Sequence, residues 1–204
     1  MQDKIVITEN ISKFVSAVQA LMSKPARSDK LGLVVGRWGV GKSTSLEWFY
    51  SNHSCFFVRA WAAWSRSANW MVEDILKCYR VEAKGTLKHD LSDLIRVVNK
   101  NRFPLFIDEC DRVVKKTILI ETIRDIHDIT RVPIILIGQE DIVNTLQRRD
   151  LGPIYSRITE IAEFKPLSAE DIQNICDELC DLKCNSEVAS FIKVVSLGDF
   201  RLVN

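Results

Sequence analysis

Two short stretches hold the residue types that handle phosphate. The first, Gly36-Arg37-Trp38-Gly39-Val40-Gly41-Lys42-Ser43, follows the pattern Gly, any four residues, Gly-Lys-Ser. Glycines let a backbone curl until successive N–H groups converge on phosphate oxygens. A helix that starts at such a turn adds the positive end of its dipole. At this spacing Lys42 reaches the β- and γ-phosphates of a nucleotide, and the Ser43 hydroxyl ligates magnesium. With glycine at about 7% of residues, a chance match in a chain of this length is on the order of 1%. The stretch therefore predicts a phosphate-binding (Walker A) loop, with Thr44 completing the cofactor-binding set.

The second stretch, Phe103-Pro104-Leu105-Phe106-Ile107-Asp108-Glu109, is an apolar run ending in two carboxylates. Its place after the loop predicts Walker B chemistry. Asp108 holds the magnesium directly or through water, and Glu109 is the general base that polarises the attacking water. Three further residues are candidates for the same reaction. Gln139 follows the apolar run Ile134 to Ile137 and is placed to sense the γ-phosphate. Arg157, in Tyr155-Ser156-Arg157-Ile158, is placed to stabilise transition-state charge on a neighbouring subunit's γ-phosphate, with Arg148 and Arg149 as competitors. Arg201, in Gly198-Asp199-Phe200-Arg201, is placed to touch the nucleotide in cis.

The elements that position these residues alternate. Apolar runs predict strands at Leu31 to Val35, Cys55 to Ala60, Phe103 to Ile107, Pro133 to Ile137 and Ile158 to Phe164. Helical spacing covers Ile11 to Met22, Lys42 to Tyr50, Ala68 to Tyr79, Asp90 to Asn99 and the segment holding Leu119, Ile123 and Ile126. Such alternation builds a mostly parallel sheet covered by helices on both faces. After Pro166 only helices are expected. Ser168-Ala169-Glu170-Asp171 resembles a capping box, Ile172, Ile175, Cys176, Leu179 and Cys180 share one helix face, and a further helix spans Glu187 to Val195. The expected division is an N-terminal helix and connector at 1–30, an α/β nucleotide-binding core at 31–166, and a small helical lid at 167–204, either minimal or truncated. No internal repeat or low-complexity segment is present.

The chain has 204 residues, 47% of them hydrophobic and 27% charged, with net charge +1. This is ordinary globular composition, enough for one α/β core and a small appendage. Neutral overall charge neither demands nor excludes nucleic acid. Met1-Gln2-Asp3-Lys4 leads into only a short apolar run, so no secretory leader is expected, and no apolar run approaches the roughly 18 residues of a membrane span. The six cysteines are accordingly expected as cytosolic thiols. Cys176, Cys180 and Cys184 are spaced i, i+4, i+8 but lack a fourth ligand, which favours packing over metal binding. Trp61, Trp64 and Trp70 lie among Arg59 and Arg66. Aromatics with arginines can stack on bases, but packing of a helix on the sheet is the favoured role.

Taken together, Gly36 to Ser43, Asp108-Glu109, Gln139, Ser156-Arg157 and Gly198 to Arg201 resemble, in order and spacing, the Walker A, Walker B, sensor 1, arginine finger and sensor 2 elements of AAA+ ATPases. The resemblance covers nearly the whole chain. It implies a P-loop three-layer sandwich with a five-stranded parallel sheet in the order 5-1-4-3-2. Within that family, Gly36 to Thr44, Phe106-Ile107-Asp108-Glu109-Cys110-Asp111, Leu136-Ile137-Gly138-Gln139-Glu140 and Leu151 to Phe164 are most similar to transposition regulators of the MuB, TnsC and TniB type. That likeness implies a cytoplasmic, bacterial or phage-encoded ATPase using ATP and magnesium. It implies a homo-oligomer, often a helical filament on double-stranded DNA, that recruits or activates a transposase for target selection. DNA contacts are expected at the sugar-phosphate backbone, from Arg66, Lys77, Lys84, Lys115 and Lys116. The sequence departs from the pattern in having only about thirty residues before the first strand and Gln at sensor 1. Two other functions stay open: a secretion or signalling ATPase that does not act on DNA, and a nucleotide-gated scaffold with little turnover.

Overall fold

The computed structural model describes residues 5–148, 151–180 and 184–203. Met1 to Lys4, where a leader was sought, Arg149, one of the competing finger arginines, and Asn204, the end of the expected lid, lie outside the described residues.

Five strands form one sheet: β1 (Leu31–Val35), β2 (Phe56–Arg59), β3 (Leu105–Asp108), β4 (Ile134–Gly138) and β5 (Ile158–Glu163). All pairings are parallel, and the order is β2-β3-β4-β1-β5. This is the expected 5-1-4-3-2 arrangement viewed from the other edge. β1, β3 and β4 are buried along their whole length, which is why they appear in the sequence as unbroken apolar runs.

Side chains alternate between the two faces, as the two-residue period of a strand requires. Leu31, Leu33 and Val35 of β1 pack with Met71, Ile75 and Leu76 of α3 (Ala68–Cys78), Leu94 and Val98 of α4 (Leu87–Asn101), and Ile123 and Ile126 of α5 (Thr117–Thr130). Val34, Phe106, Ile135 and Ile137 face the other way. There they meet Phe14, Val18 and Leu21 of α1 (Glu9–Ser23) and Leu46 and Phe49 of α2 (Lys42–Asn52). Gly32 allows that second layer to close, because a Cβ there would meet Leu21 Cδ1 at 2.5 Å.

An aromatic cluster seats α1 and α2 on the sheet. Phe14 stacks on Phe106 at 5.5 Å and meets Phe49 edge-on at 5.8 Å, while Phe49 meets Phe106 at 5.4 Å. Each such pair adds about 0.5–1.5 kcal/mol beyond its buried area. The helix that carries Lys42 and Ser43 is therefore anchored by its far turn.

Beyond β4 come two short helices, α6 (Asp141–Leu146) and α7 (Gly152–Tyr155), then β5. α8 (Ala169–Leu179), α9 (Ser186–Ser196) and α10 (Phe200–Val203) follow. The Ser168/Asp171 capping box is present. Asp171 also accepts the Glu9 backbone N–H at 2.9 Å, so one carboxylate caps α8 and grips the start of α1. None of the described helices is long and apolar enough to cross a membrane.

Candidate active site

The cleft lies at the carboxyl ends of the strands, beside β1, where the chain order reverses. In open α/β sheets ligands bind at this point. Gly36 leaves β1 with its α-carbon pressed against Phe164 and Val40; an added Cβ would come within 2.8 Å. Gly39 and Gly41 take φ of 75° and 87°, the left-handed region that glycine enters without strain. Gly41 caps α2 with no side-chain bond of its own, so the first N–H groups of the helix face the loop.

Lys42 Nζ donates to the carbonyls of Gly36 at 2.5 Å and Arg37 at 2.7 Å. Burial lowers its pKa, opposed by the charges of Asp108, Asp111 and Glu140. The ammonium thus sits inside the loop. Val40 is buried in the aromatic core, so it serves the loop through its backbone. Arg37 and Trp38 are exposed, Trp38 by 74%, and Trp38 and Thr44 line the cleft.

Ser43 Oγ donates to Asp108 Oδ2 at 3.1 Å. Two oxygens at right angles on an octahedral magnesium, each about 2.1 Å away, stand about 3 Å apart. The donor pair therefore fits that ion in chemistry and spacing. Asp108 is 5% exposed, and its other oxygen accepts the Glu109 N–H at 2.8 Å.

Glu109 adopts φ 55°, a backbone state uncommon outside glycine. Its carboxylate is held by Arg59 Nε at 3.4 Å and by Arg112 Nη2 at 2.8 Å. Arg112 was not noted from sequence, and Arg59 was noted only beside the tryptophans, not as a partner of the carboxylates. Arg59 was legible only once β2 was known to lie beside β3, where it pairs in register with Asp108. Arg112 had a local signal, three residues after Glu109.

Gln139 lines the cleft, and its backbone N–H is fixed by Asp111 Oδ1 at 3.0 Å. Arg201 lines it too. The Phe200 N–H donates to the Gly39 carbonyl at 2.6 Å, which docks the last helix on the loop. The cleft is open to solvent and offers a volume of about 270 Å³.

A buried asparagine, overlooked in the sequence, secures the loop from behind. Asn10 Nδ2 donates to Val40 O at 3.0 Å and Lys165 O at 2.7 Å, and Asn10 Oδ1 accepts from Lys165 N at 3.2 Å. The signal was a polar residue on the stripe that continues with Phe14 and Val18.

Arg157 is not in the cleft. Ile158 pairs with Leu31 at the opposite end of β1. Four rises of about 3.3 Å put roughly 13 Å between Leu31 and Val35 at the two ends. Arg157 is instead bound to Asp128 of its own chain. Arg148 is exposed.

The DNA candidates fall at two ends of the molecule. Arg66, Lys115 and Lys116 are exposed and follow the carboxyl ends of β2 and β3. Lys77 and Lys84 lie at or after the far end of α3, and are paired at 2.7 Å with Asp74 and Asp93. The five do not form a single track. The tryptophans also divide. Trp64 is buried, with Nε1 donating to Asp74 at 2.8 Å. Trp61 and Trp70 are 58% and 43% exposed, so the packing role expected for all three holds only for Trp64. The turn Ala62–Arg66 points Trp64 inward and leaves its neighbours outside. The Cys176 thiol is pushed up to about 11 by burial and packs beside the cluster of Leu167, Ile172 and Ile175.

No curated protein matches the chain. Among solved structures it is similar to Aeropyrum pernix ORC2 in its ADPNP-ADP complexes, at 12% identity and TM-score 0.70, covering 100% of this chain and 63% of that one. It is similar to Aeropyrum pernix ORC1 in complex with DNA, at 16% and 0.61, covering 99% and 58%. It is also similar to AMPPCP-bound DnaA from Aquifex aeolicus, at 14% and 0.64, covering 98% and 61%. The chain thus spans about three-fifths of the length of these structures. The AAA domain family model matches residues 26–146, the span from the connector before β1 through α6, and this chain belongs to that family.

Proposed function

We propose that the chain binds ATP with magnesium and hydrolyses it, assembling with copies of itself on duplex DNA. The observation that carries this is the Ser43–Asp108 pair at 3.1 Å beside Lys42 and Glu109. Lys42 leaves the loop carbonyls for the β- and γ-phosphates. Ser43 and Asp108 would hold magnesium, which would supply positive charge beside the transferred group. Glu109 takes a proton from the attacking water, Gln139 orients that water, and Arg201 closes the cleft from the segment 167–204, which acts as a lid. Arg157 acts in trans, since its own cleft lies at the other end of β1.

The DNA part is supported by the printed description of one similar structure, ORC1 in complex with DNA, and by exposed Arg66, Lys115 and Lys116 on the cleft side. Recruitment of a transposase is the finer form of the reading, and rests on the likeness of Gly36 to Thr44 and Leu136 to Glu140 to transposition regulators. The clamp on Glu109 supports a second reading. Two guanidiniums on the base suit a nucleotide-gated scaffold that turns over slowly until those contacts are exchanged.

Electron microscopy with ATP, with and without duplex DNA, tests the proposal. Ordered assemblies that need both, and DNA affinity that falls steeply with salt, are expected. Assembly indifferent to DNA, or salt-insensitive binding, contradicts the DNA reading. Normal assemblies with negligible phosphate release favour the scaffold.

A further inference from the structure

The end of the sheet away from the cleft carries a charged network that the chemistry above does not use. Arg157 Nε donates to both carboxylate oxygens of Asp128, at 2.7 and 2.9 Å. Arg157 Nη1 donates to the Pro153 carbonyl. Asp128 Oδ1 lies 3.1 Å from His127 Nδ1. His127 Nε2 accepts the Lys30 backbone N–H at 3.0 Å. Acceptance at Nε2 fixes the tautomer, so the ring proton is on Nδ1 and points at Asp128. Arg131 binds Asp29 at 2.6 Å and stands 3.7 Å from Asp128. Asp29, His127 and Asp128 are close enough to share a cation, but guanidinium groups already neutralise both carboxylates.

The chain of contacts runs from the backbone of Lys30, just before β1, through a fully buried imidazole to a carboxylate, and from there to an arginine with 28% of its side chain exposed. Each partner fixes the next. A free arginine carries about 2 kcal/mol of rotamer entropy, which a group acting on a neighbour's nucleotide must otherwise lose during the reaction. Fixing Nε and Nη1 leaves the Nη2 amino group outside these three bonds. Resting on the trans role of Arg157, we propose that Asp128 is its positioning residue, backed by His127, so that each protomer presents an arginine already oriented toward its neighbour.

The test uses two complementary full-length chains. Glu109→Gln keeps its arginine and its nucleotide site but does not hydrolyse. Arg157→Ala keeps its catalytic cleft but lacks the arginine. Mixed, they hydrolyse ATP only where the cleft of the second meets the arginine of the first. Asp128→Ala is then added to one chain at a time. On the Glu109→Gln chain it lowers kcat of the mixture about ten- to a hundredfold, the range for a small misplacement of a reacting group, with KM for ATP unchanged. On the Arg157→Ala chain it changes nothing. Asp128→Asn, which keeps an acceptor for Nε, restores part of the loss, and carries the same comparison if the alanine variant does not fold. Equal losses in both placements mean that Asp128 is merely structural and overturn the proposal, as does no loss on the Glu109→Gln chain. Under ATP conditions in which the two chains co-sediment, a mixture that stays inactive overturns the trans role of Arg157 itself.

Discussion

Asn10 ties three separate parts of the chain together, and its removal has a calculable cost. The side chain is 4% exposed and makes three hydrogen bonds, two to Lys165 and one to Val40. A net value of about 1 kcal/mol each gives roughly 3 kcal/mol for Asn10→Ala. Removal strands the Val40 and Lys165 carbonyls, which tolerate the loss, and the Lys165 N–H, which tolerates it less, so about 2–4 kcal/mol is the expected range. With a urea m-value of about 2 kcal/mol/M, the unfolding midpoint falls by about 1–2 M. Asn10→Asp keeps the acceptor for Lys165 N but turns a carboxylate oxygen toward two carbonyls, so it destabilises more than alanine. Saturating ATP at about a hundred times its Kd returns about 2.7 kcal/mol to either variant that still binds it. Urea titrations with and without ATP and magnesium make the measurement. A loss under about 0.5 kcal/mol for Asn10→Ala, or an aspartate variant more stable than the alanine one, refutes the reasoning.

Lys42→Ala removes the side-chain cation from the phosphate cradle and should abolish ATP binding in a calorimetric titration, while leaving the melting temperature of the nucleotide-free protein nearly unchanged. Arg112→Met removes one of two partly exposed ion pairs on Glu109. Such pairs are worth about 0.2–1 kcal/mol, so turnover should rise by a factor of about 1.5 to 5, measured as phosphate release; a fall shows that Arg112 assists the reaction. Phe14→Ala removes the ring shared by Phe49 and Phe106 and should cost about 3–5 kcal/mol in chemical unfolding.

The strands were legible because three of them are buried on both faces, and strand limits expected from sequence differ from those observed by two residues or fewer. The loop at Gly36 to Ser43 was legible as a turn because its geometry is local: strand, glycines and helix are contiguous. What escaped notice is non-local or short. Arg59 meets Glu109 only because β2 lies beside β3, and Asn10 meets Lys165 across most of the chain. α6, α7 and α10 are too short to show a helical period. Trp61 and Trp70 carry the same residue type as buried Trp64, and composition alone does not sort an inward tryptophan from an outward one.

In the proposed reaction Glu109 performs chemistry in a cleft that Lys42, Ser43 and Asp108 build for ATP and magnesium. Glu109→Gln preserves shape and hydrogen bonding but removes the base. Its ATP affinity and its steady-state phosphate release, measured beside the unaltered chain with magnesium present, test the claim most directly. Nearly equal ATP affinity and a rate lower by about 10²- to 10⁴-fold are expected. An unaltered chain that binds no ATP, or a glutamine variant that hydrolyses it at the unaltered rate, contradicts the claim.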